Sequence, residues 1–210
     1  IRATLPFYIP FPPIPYIINF GTMGAVIRTK SPINSKKAMF DIGIAGPISG
    51  FAICLGILIY GFTHVPSIDY LINIHPDYFS PDYGKEGMQL IFGDSILFSF
   101  LRYVFANPNS FFPPMSEIYH YPFLCAGWFG LLVTSMNMIP VGQLDGGHIS
   151  YAMFGDKKHY NISAISAIIL AVIGFSGVLD SLLEFNLGIG WSGWLFWAFI
   201  LYFVVKLKHP

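Results

Sequence analysis

The residues best suited to chemistry concentrate in one run, Asn137-Met138-Ile139-Pro140-Val141-Gly142-Gln143-Leu144-Asp145-Gly146-Gly147-His148. Asp145 closes a stretch, Tyr121–Leu144, with no Asp, Glu, Lys or Arg, long enough to cross a bilayer as a helix at about 1.5 Å per residue. An ionised side chain near hydrocarbon costs about 2.5–3.5 kcal/mol on insertion scales, and it is usually kept for a proton, an ion or a metal. Pro140, Gly142, Gly146 and Gly147 break the helix around it. Glycine lets backbone approach a ligand, and unwound backbone at membrane depth is tolerated where it lines a polar cavity. The pattern suits an ion or metal site with Asp145 as ligand. Asn137, two turns earlier on the same helix, adds a neutral donor and acceptor able to orient a carbonyl or a water. The same residues also suit a plain cap, with Asp145 opening a short helix through His148 to Met153 and Asn137 serving as interhelical glue. Taken alone, they leave both readings open.

Four uncharged stretches supply the elements that would position this run: Ile42–Phe62, Tyr121–Leu144, Tyr160–Leu179 and Phe185–Val205, each near the length a bilayer core requires. The expected architecture is an all-α polytopic membrane protein of about four transmembrane helices. It forms one membrane-embedded unit over residues 1–210, with helices at 40–62, 121–144, 160–179 and 185–205 and an extended or β segment over 1–39. Within that segment Leu5–Ile27 is apolar, but Pro6, Pro10, Pro12, Pro13 and Pro15 exclude a helix, each interior proline costing about 3 kcal/mol. It reads as membrane-associated extended backbone, with Ile14–Thr29 paired as a strand or hairpin. The polar segment Thr63–His120 reads as an outside loop, with an interfacial helix over Met88–Phe105 interrupted by Gly93-Asp94-Ser95. In the first span Gly43, Gly46, Pro47 and Gly50 make a small-residue face whose favoured role is structural, close helix packing in lipid.

Hydrophobic residues are 54% of the chain and charged ones 10%, a balance that excludes an ordinary water-soluble globule of 210 residues. Net charge is zero, so nucleic acid is not an expected partner, whereas the lipid bilayer is. Arg2, Arg28, Lys30, Lys36, Lys37, Lys157, Lys158, Lys206 and Lys208 fall on one face of a four-span topology. The positive-inside tendency assigns that face, and the Asp145 end of its helix, to the cytoplasm. Cys54 and Cys125 sit in apolar runs and read as small hydrophobes. None of the six histidines forms an H-x-x-x-H pair, so no helix face presents two imidazoles one turn apart. His148, close to Asp145, reads first as an interfacial histidine without special role.

Phe40-Asp41-Ile42-Gly43-Ile44-Ala45-Gly46-Pro47 followed by Gly50, and Asn137-x-x-Pro140-x-x-x-Leu144-Asp145-Gly146-Gly147-His148, resemble core segments of the site-2 protease family of intramembrane zinc metalloproteases. Leu5–Lys30, with Gly21-Thr22-Met23-Gly24 inside it, resembles the extended segment that follows the family's H-E-x-x-H helix. The resemblance implies one zinc, held by the two histidines of H-E-x-x-H and by Asp145. A position is left open for water, whose pKa falls toward about 7 on zinc, and the motif glutamate acts as general base. It implies that Asn137 orients substrate or stabilises the oxyanion. Gly21, Gly24 and Val26 of the extended segment, with Pro140 and Gly146 of the broken helix, become the expected substrate contacts, the substrate being a membrane-anchored protein. H-E-x-x-H is absent from these residues; it is expected upstream of Ile1 by on the order of ten residues, so that the segment alone is catalytically incomplete. The competing expectation is a transporter-like protein or a non-catalytic scaffold in which Asp145 is an ion or packing site.

Overall fold

The computed structural model describes residues 4–5, 7–10, 22–26, 35–84, 91–183 and 190–208. Helix α1, Lys36–Thr63, opens with Lys36, Lys37 and Asp41 and then runs through the first uncharged stretch. Pro47 lies inside it and cannot donate back to the Gly43 carbonyl. Ser49 lies beside this gap and donates its hydroxyl to the Gly46 carbonyl at 2.9 Å. At the far end Thr63 donates to the carbonyls of Ile59 (2.9 Å) and Tyr60 (3.0 Å), and Pro66 soon follows.

The described residues are mostly helical. After α1 come α2 (Ile68–Ile74), α3 (Ile96–Phe105), a 3₁₀ turn (Ile118–His120), α4 (Pro122–Asn137), α5 (Asp145–Phe154), α6 (Asp156–Leu183) and α7 (Gly193–Ile200), which runs into a π turn, Leu201–Val205. Two short strands precede them: β1 (Phe7–Pro10) pairs antiparallel with β2 (Thr22–Val26). The pairing was expected within Ile14–Thr29, but the partner of β2 comes from ahead of that window. Phe7 pairs with Val26, Tyr8 with Ala25 and Pro10 with Thr22, so β2 advances one residue more than β1 across Met23-Gly24. That is a β-bulge, and a glycine accommodates its backbone without a side-chain penalty.

Two of the four expected spans are helices long and apolar enough to cross a membrane, α1 and α6, each of 28 residues. Both are longer than charge alone marked out, α6 starting at Asp156, directly after Gly155 with its φ of +76°. Their outward faces stay apolar and uncovered: Ile53 on α1 and Ile168 and Val172 on α6 are each more than 60% exposed. The core helix of a soluble protein would bury such residues; lipid is the solvent that suits them. The second span is shorter than expected. Its 16-residue helix α4, about 24 Å long, stops at Asn137 because Pro140 and Gly142, the latter at φ +53°, cannot continue it. Asn137 and Asp145 therefore sit on different helices, which corrects the expectation that they share one. The described helical part of the fourth span, residues 193–205, is about 20 Å long, short of the roughly 30 Å hydrocarbon core.

Residues 63–120 are more built than a loop. Leu58 and Phe62 of α1, Phe92, Phe98 and Leu101, Ile118 and Tyr121, and Leu124 of α4 form a buried cluster, with Phe98 and Ile118 fully enclosed. Of the expected helix over Met88–Phe105, residues 88–90 lie outside the described residues, and the described helix begins at Ile96. Ser95 caps it by accepting from the Phe98 amide at 3.2 Å, while Asp94 accepts from the Ser99 hydroxyl (2.6 Å) and pairs with Arg102 (3.2 Å). Gly93-Asp94-Ser95 is thus a helix start rather than an interruption. Trp128 of α4 donates its indole N–H to the Gly93 carbonyl at 2.8 Å, tying this cap to the helix beneath. α1 and α4 pack closely because Gly127 and Gly130 of α4 face Leu58 and Cys54 of α1.

Candidate functional site

Between Asn137 and Asp145 the chain makes a tight turn. The Ile139 amide donates to the Met136 carbonyl (3.2 Å), Val141 to Ile139 (2.8 Å) and Leu144 to Val141 (3.1 Å), after which α5 starts with Asp145 in its first turn. A carboxylate there is favoured by the positive end of the helix dipole. The glycines of the motif are steric necessities: a Cβ on Gly146 would run into the Met138 carbonyl, and one on Gly147 into the carbonyls of Gly142 and Val141. Both glycines are buried, so the first turn of α5 lies directly on the backbone of residues 138–142. At Gly142 a Cβ would meet the Lys206 carbonyl, which brings the C-terminal π turn against the same loop.

The small-residue face of α1 covers the other side of α5. A Cβ on Gly43 would approach the Asp145 carbonyl to 3.1 Å and the His148 Cβ to 3.2 Å, and one on Gly46 would lie 3.6 Å from Asp145 Oδ2. Gly50, one turn further, faces the Thr134 hydroxyl of α4 at 3.5 Å by the same measure. Gly43, Gly46 and Pro47 thus do more than join two spans, because they bring α1 against the helix that carries the carboxylate. Asp145 itself is half-buried, its Oδ2 looking toward Gly46.

Sequence reasoning missed the support beneath this turn. His159, fully buried on α6, and Ser163 one turn later are the polar pair there: Ser163 donates its hydroxyl to the Pro140 carbonyl at 2.9 Å, and its Oγ lies 3.4 Å from His159 Nε2. Tyr151 of α5 sets its ring edge against His159, with centroids 5.9 Å apart. The signal was readable as His159-x-x-x-Ser163, two polar residues at i, i+4 near the start of α6.

The structure joins some of the expected site residues and not others. Asp145, Gly146, Gly43 and Gly46 converge, and Pro140 joins them through the turn. Gly24 and Val26 lie on β2, while Gly21 lies outside the described residues. The Lys36 ammonium comes within 3.9 Å of where a Gly155 Cβ would be, at the foot of α6, and the Lys206 carbonyl lies against Gly142, while Arg2, Arg28 and Lys30 lie outside the described residues.

A zinc needs three protein ligands and an open position in a catalytic site. Among the described residues, three His, Cys, Asp or Glu side chains converge at one place, His75, Glu117 and His120, and not at Asp145. What these residues offer a zinc at Asp145 is therefore one carboxylate in a glycine-walled cradle, a single corner of a coordination shell.

The model for peptidase family M50 matches residues 7–179, a stretch containing both strands, the α1 glycines and the Asp145 turn. The chain is 27% identical over 181 residues to a protein of Oryza sativa subsp. indica named as a probable chloroplastic zinc metalloprotease EGY2, an alignment covering 86% of this chain and 29% of that protein. It is 30% identical over 178 residues to the probable chloroplastic zinc metalloprotease EGY1 of Oryza sativa subsp. japonica, covering 83% of this chain and 27% of that one. A probable zinc metallopeptidase EGY3 of Arabidopsis thaliana is 28% identical over 167 residues, 75% of this chain and 27% of its own length. The chain thus spans under a third of these relatives. No solved structure matches it. A glycine-walled Asp145 on a broken helix, within a stretch that matches the family model almost end to end, places this chain in peptidase family M50, the site-2 protease family.

Proposed function

We propose that this segment belongs to an intramembrane zinc metalloprotease in which Asp145 supplies one zinc ligand and the two remaining ligands are the histidines of an H-E-x-x-H motif that these 210 residues do not contain. The observation that carries the reading is the Asp145 cradle. Its carboxylate is held at a helix N-terminus, walled by Gly43 and Gly46 of α1 and by the backbone of residues 138–142. When bound, the metal supplies Lewis acidity to a scissile carbonyl. The residues of this chain hold that corner in place. The glycines exclude side-chain bulk from the cradle, and Ser163 pins the Pro140 carbonyl. Asn137, half-buried at the end of α4, is assigned the orienting of substrate or oxyanion.

A transmembrane substrate hides its amides in its own helix and must unwind before cleavage. The β1–β2 pair offers the natural receptor. A two-stranded sheet has unpaired edges, and an extended peptide adds to such an edge through main-chain hydrogen bonds. Gly24 and Val26 would then act through the strand that carries them. The proposed orientation puts the Lys36, Lys157 and Lys206 end, with Asp145, toward the cytoplasm.

The test is metal and turnover analysis of the full-length protein in detergent or bilayer. Asp145→Ala should lose both zinc and cleavage, whereas Asn137→Ala should keep zinc and lose turnover. Gly24→Pro should keep zinc and cut turnover. Zinc content unchanged in Asp145→Ala would overturn the assignment and favour a scaffold or transporter role for this carboxylate.

A further inference from the structure

The far end of α1 carries a second group of ligating side chains. His75 ends α2, its amide bonded to the Leu71 carbonyl at 2.8 Å, while Glu117 and His120 bracket the 3₁₀ turn Ile118–His120. A 3₁₀ turn has three residues per repeat, so Glu117 and His120 share one face. The Nε2 atoms of His75 and His120 are 2.8 Å apart, and His120 Nε2 is 3.7 Å from Glu117 Oε2. The three ligand atoms lie within 4.8 Å of one another. From Gly46, beside Asp145, to Thr63 at the end of α1 is 17 residues, or about 25 Å of helix, so this group is remote from the Asp145 cradle.

Glu117 is the telling member. It is only 4% exposed, and its Oε2 has no hydrogen-bond partner although it points at two imidazoles. A buried carboxylate oxygen left unsatisfied is costly, and a cation is what would satisfy it. The neighbouring bond holds the carboxylate in place without using that oxygen: Ser116 donates to Oε1 at 3.3 Å.

We propose that His75, Glu117 and His120 form a second metal site, for a divalent transition cation of the zinc class, in the segment between α1 and α4. Two imidazoles and a carboxylate select zinc-like ions over calcium or magnesium, which take oxygen ligands. Tetrahedral coordination at about 2.0–2.1 Å places ligand atoms about 3.3 Å apart. The two nitrogens must therefore open slightly, and Oε2 must close slightly, movements within side-chain rotation. The ion would link α2 to the 3₁₀ turn, 45 residues on, clamping the cap over the end of α1.

Co2+ is the probe, added to full-length protein carrying Asp145→Ala so that the cradle is removed from the count. One Co2+ per chain should bind with the visible absorption of a tetrahedral site, be displaced by Zn2+, and raise the melting temperature. Glu117→Gln, which keeps the shape of the side chain, and His75→Gln should each weaken Co2+ at least tenfold. In protein with no substitution, the ring resonances of His75 and His120 should shift on adding Zn2+ while that of His64 stays in place. Failure of Asp145→Ala protein to bind Co2+ would overturn the site, as would binding unaffected by Glu117→Gln or ring resonances unmoved by Zn2+. The His75 and His120 ring resonances and the Glu117→Gln and His75→Gln comparisons report on this site whether or not Asp145 ligates zinc.

Discussion

In its N-terminal half α1 meets α5 through glycine, with Gly43 and Gly46 set against the Asp145 backbone and carboxylate. In its C-terminal half it meets α4 and the cap through Leu58 and Phe62, enclosed by Phe98, Ile118 and Leu124. One helix thus runs from a region where backbone touches backbone to a region where large side chains interdigitate. The difference follows from what each end must hold. A carboxylate proposed to face a ligand calls for walls without side chains, and glycine provides them. The cap formed by the described residues between α1 and α4 carries a densely packed aromatic core. Stability should accordingly be concentrated at the cap, and function at the glycine end.

Phe98→Ala tests that division most severely. Phe98 is fully buried and sets its ring edge-on against Phe62, with centroids 5.0 Å apart. Truncation should cost about 3–5 kcal/mol, read by equilibrium unfolding in mild detergent and denaturant. Metal binding at Asp145 in the surviving folded fraction should be unchanged. A loss below about 1 kcal/mol would show that the cap is not where stability resides.

At the other end Gly146→Ala should cost about 1–3 kcal/mol by overpacking, since the added methyl meets the Met138 carbonyl and α5 must move off the turn. Here the comparison predicts a coupled loss: stability falls by less than in Phe98→Ala, but turnover falls with it, because the shift carries Asp145. Retained turnover would separate the α5 position from the chemistry.

How far these two regions were legible in the sequence differs for a physical reason. Uncharged windows revealed α1 and α6, because a long apolar helix has a strong compositional signature. The same criterion overran α4, since Met138 to Leu144 is as uncharged as the helix before it, and only the missing Pro140 amide and the positive φ of Gly142 stop the helix at Asn137. The Gly43 and Gly46 face was visible as small-residue spacing, yet its contact with Asp145 was not, because spacing identifies a close-packing face without naming what packs on it. The cap was the least legible part. Its core comes from apolar residues scattered among prolines and acids over sixty positions, with no single period to detect. Glu117-x-x-His120 does not show in an H-x-x-x-H pattern, which assumes α-helical spacing, whereas a 3₁₀ turn aligns residues three apart.

Ser163→Ala is a milder probe of the glycine end. It removes the hydroxyl that donates to the Pro140 carbonyl at 2.9 Å, a bond of about 0.5–1.5 kcal/mol, and leaves His159 in place. Unfolding should shift by that amount. If the bond serves to hold the turn, turnover should fall by more than stability predicts, and Ser163→Thr, which keeps the hydroxyl, should restore it in part.

The smallest expected change in stability is the sharpest test of the contrast. A methyl at Gly46 would sit 3.6 Å from Asp145 Oδ2, an ordinary van der Waals distance, and alanine is the better helix former by about 1 kcal/mol. Gly46→Ala should therefore leave unfolding unchanged or make it slightly harder. The methyl nevertheless occupies space beside the carboxylate, thinning its access to solvent and to a cation, so zinc affinity and turnover in the full-length protein should drop while the fold holds. Gly43→Ala sets the scale, because its methyl would come within 3.1 Å of the Asp145 carbonyl and must push α5 away, lowering stability and activity together. If Gly46→Ala instead binds zinc and turns over as before, the glycine at this position serves helix packing alone, and the wall facing Oδ2 has no part in the site.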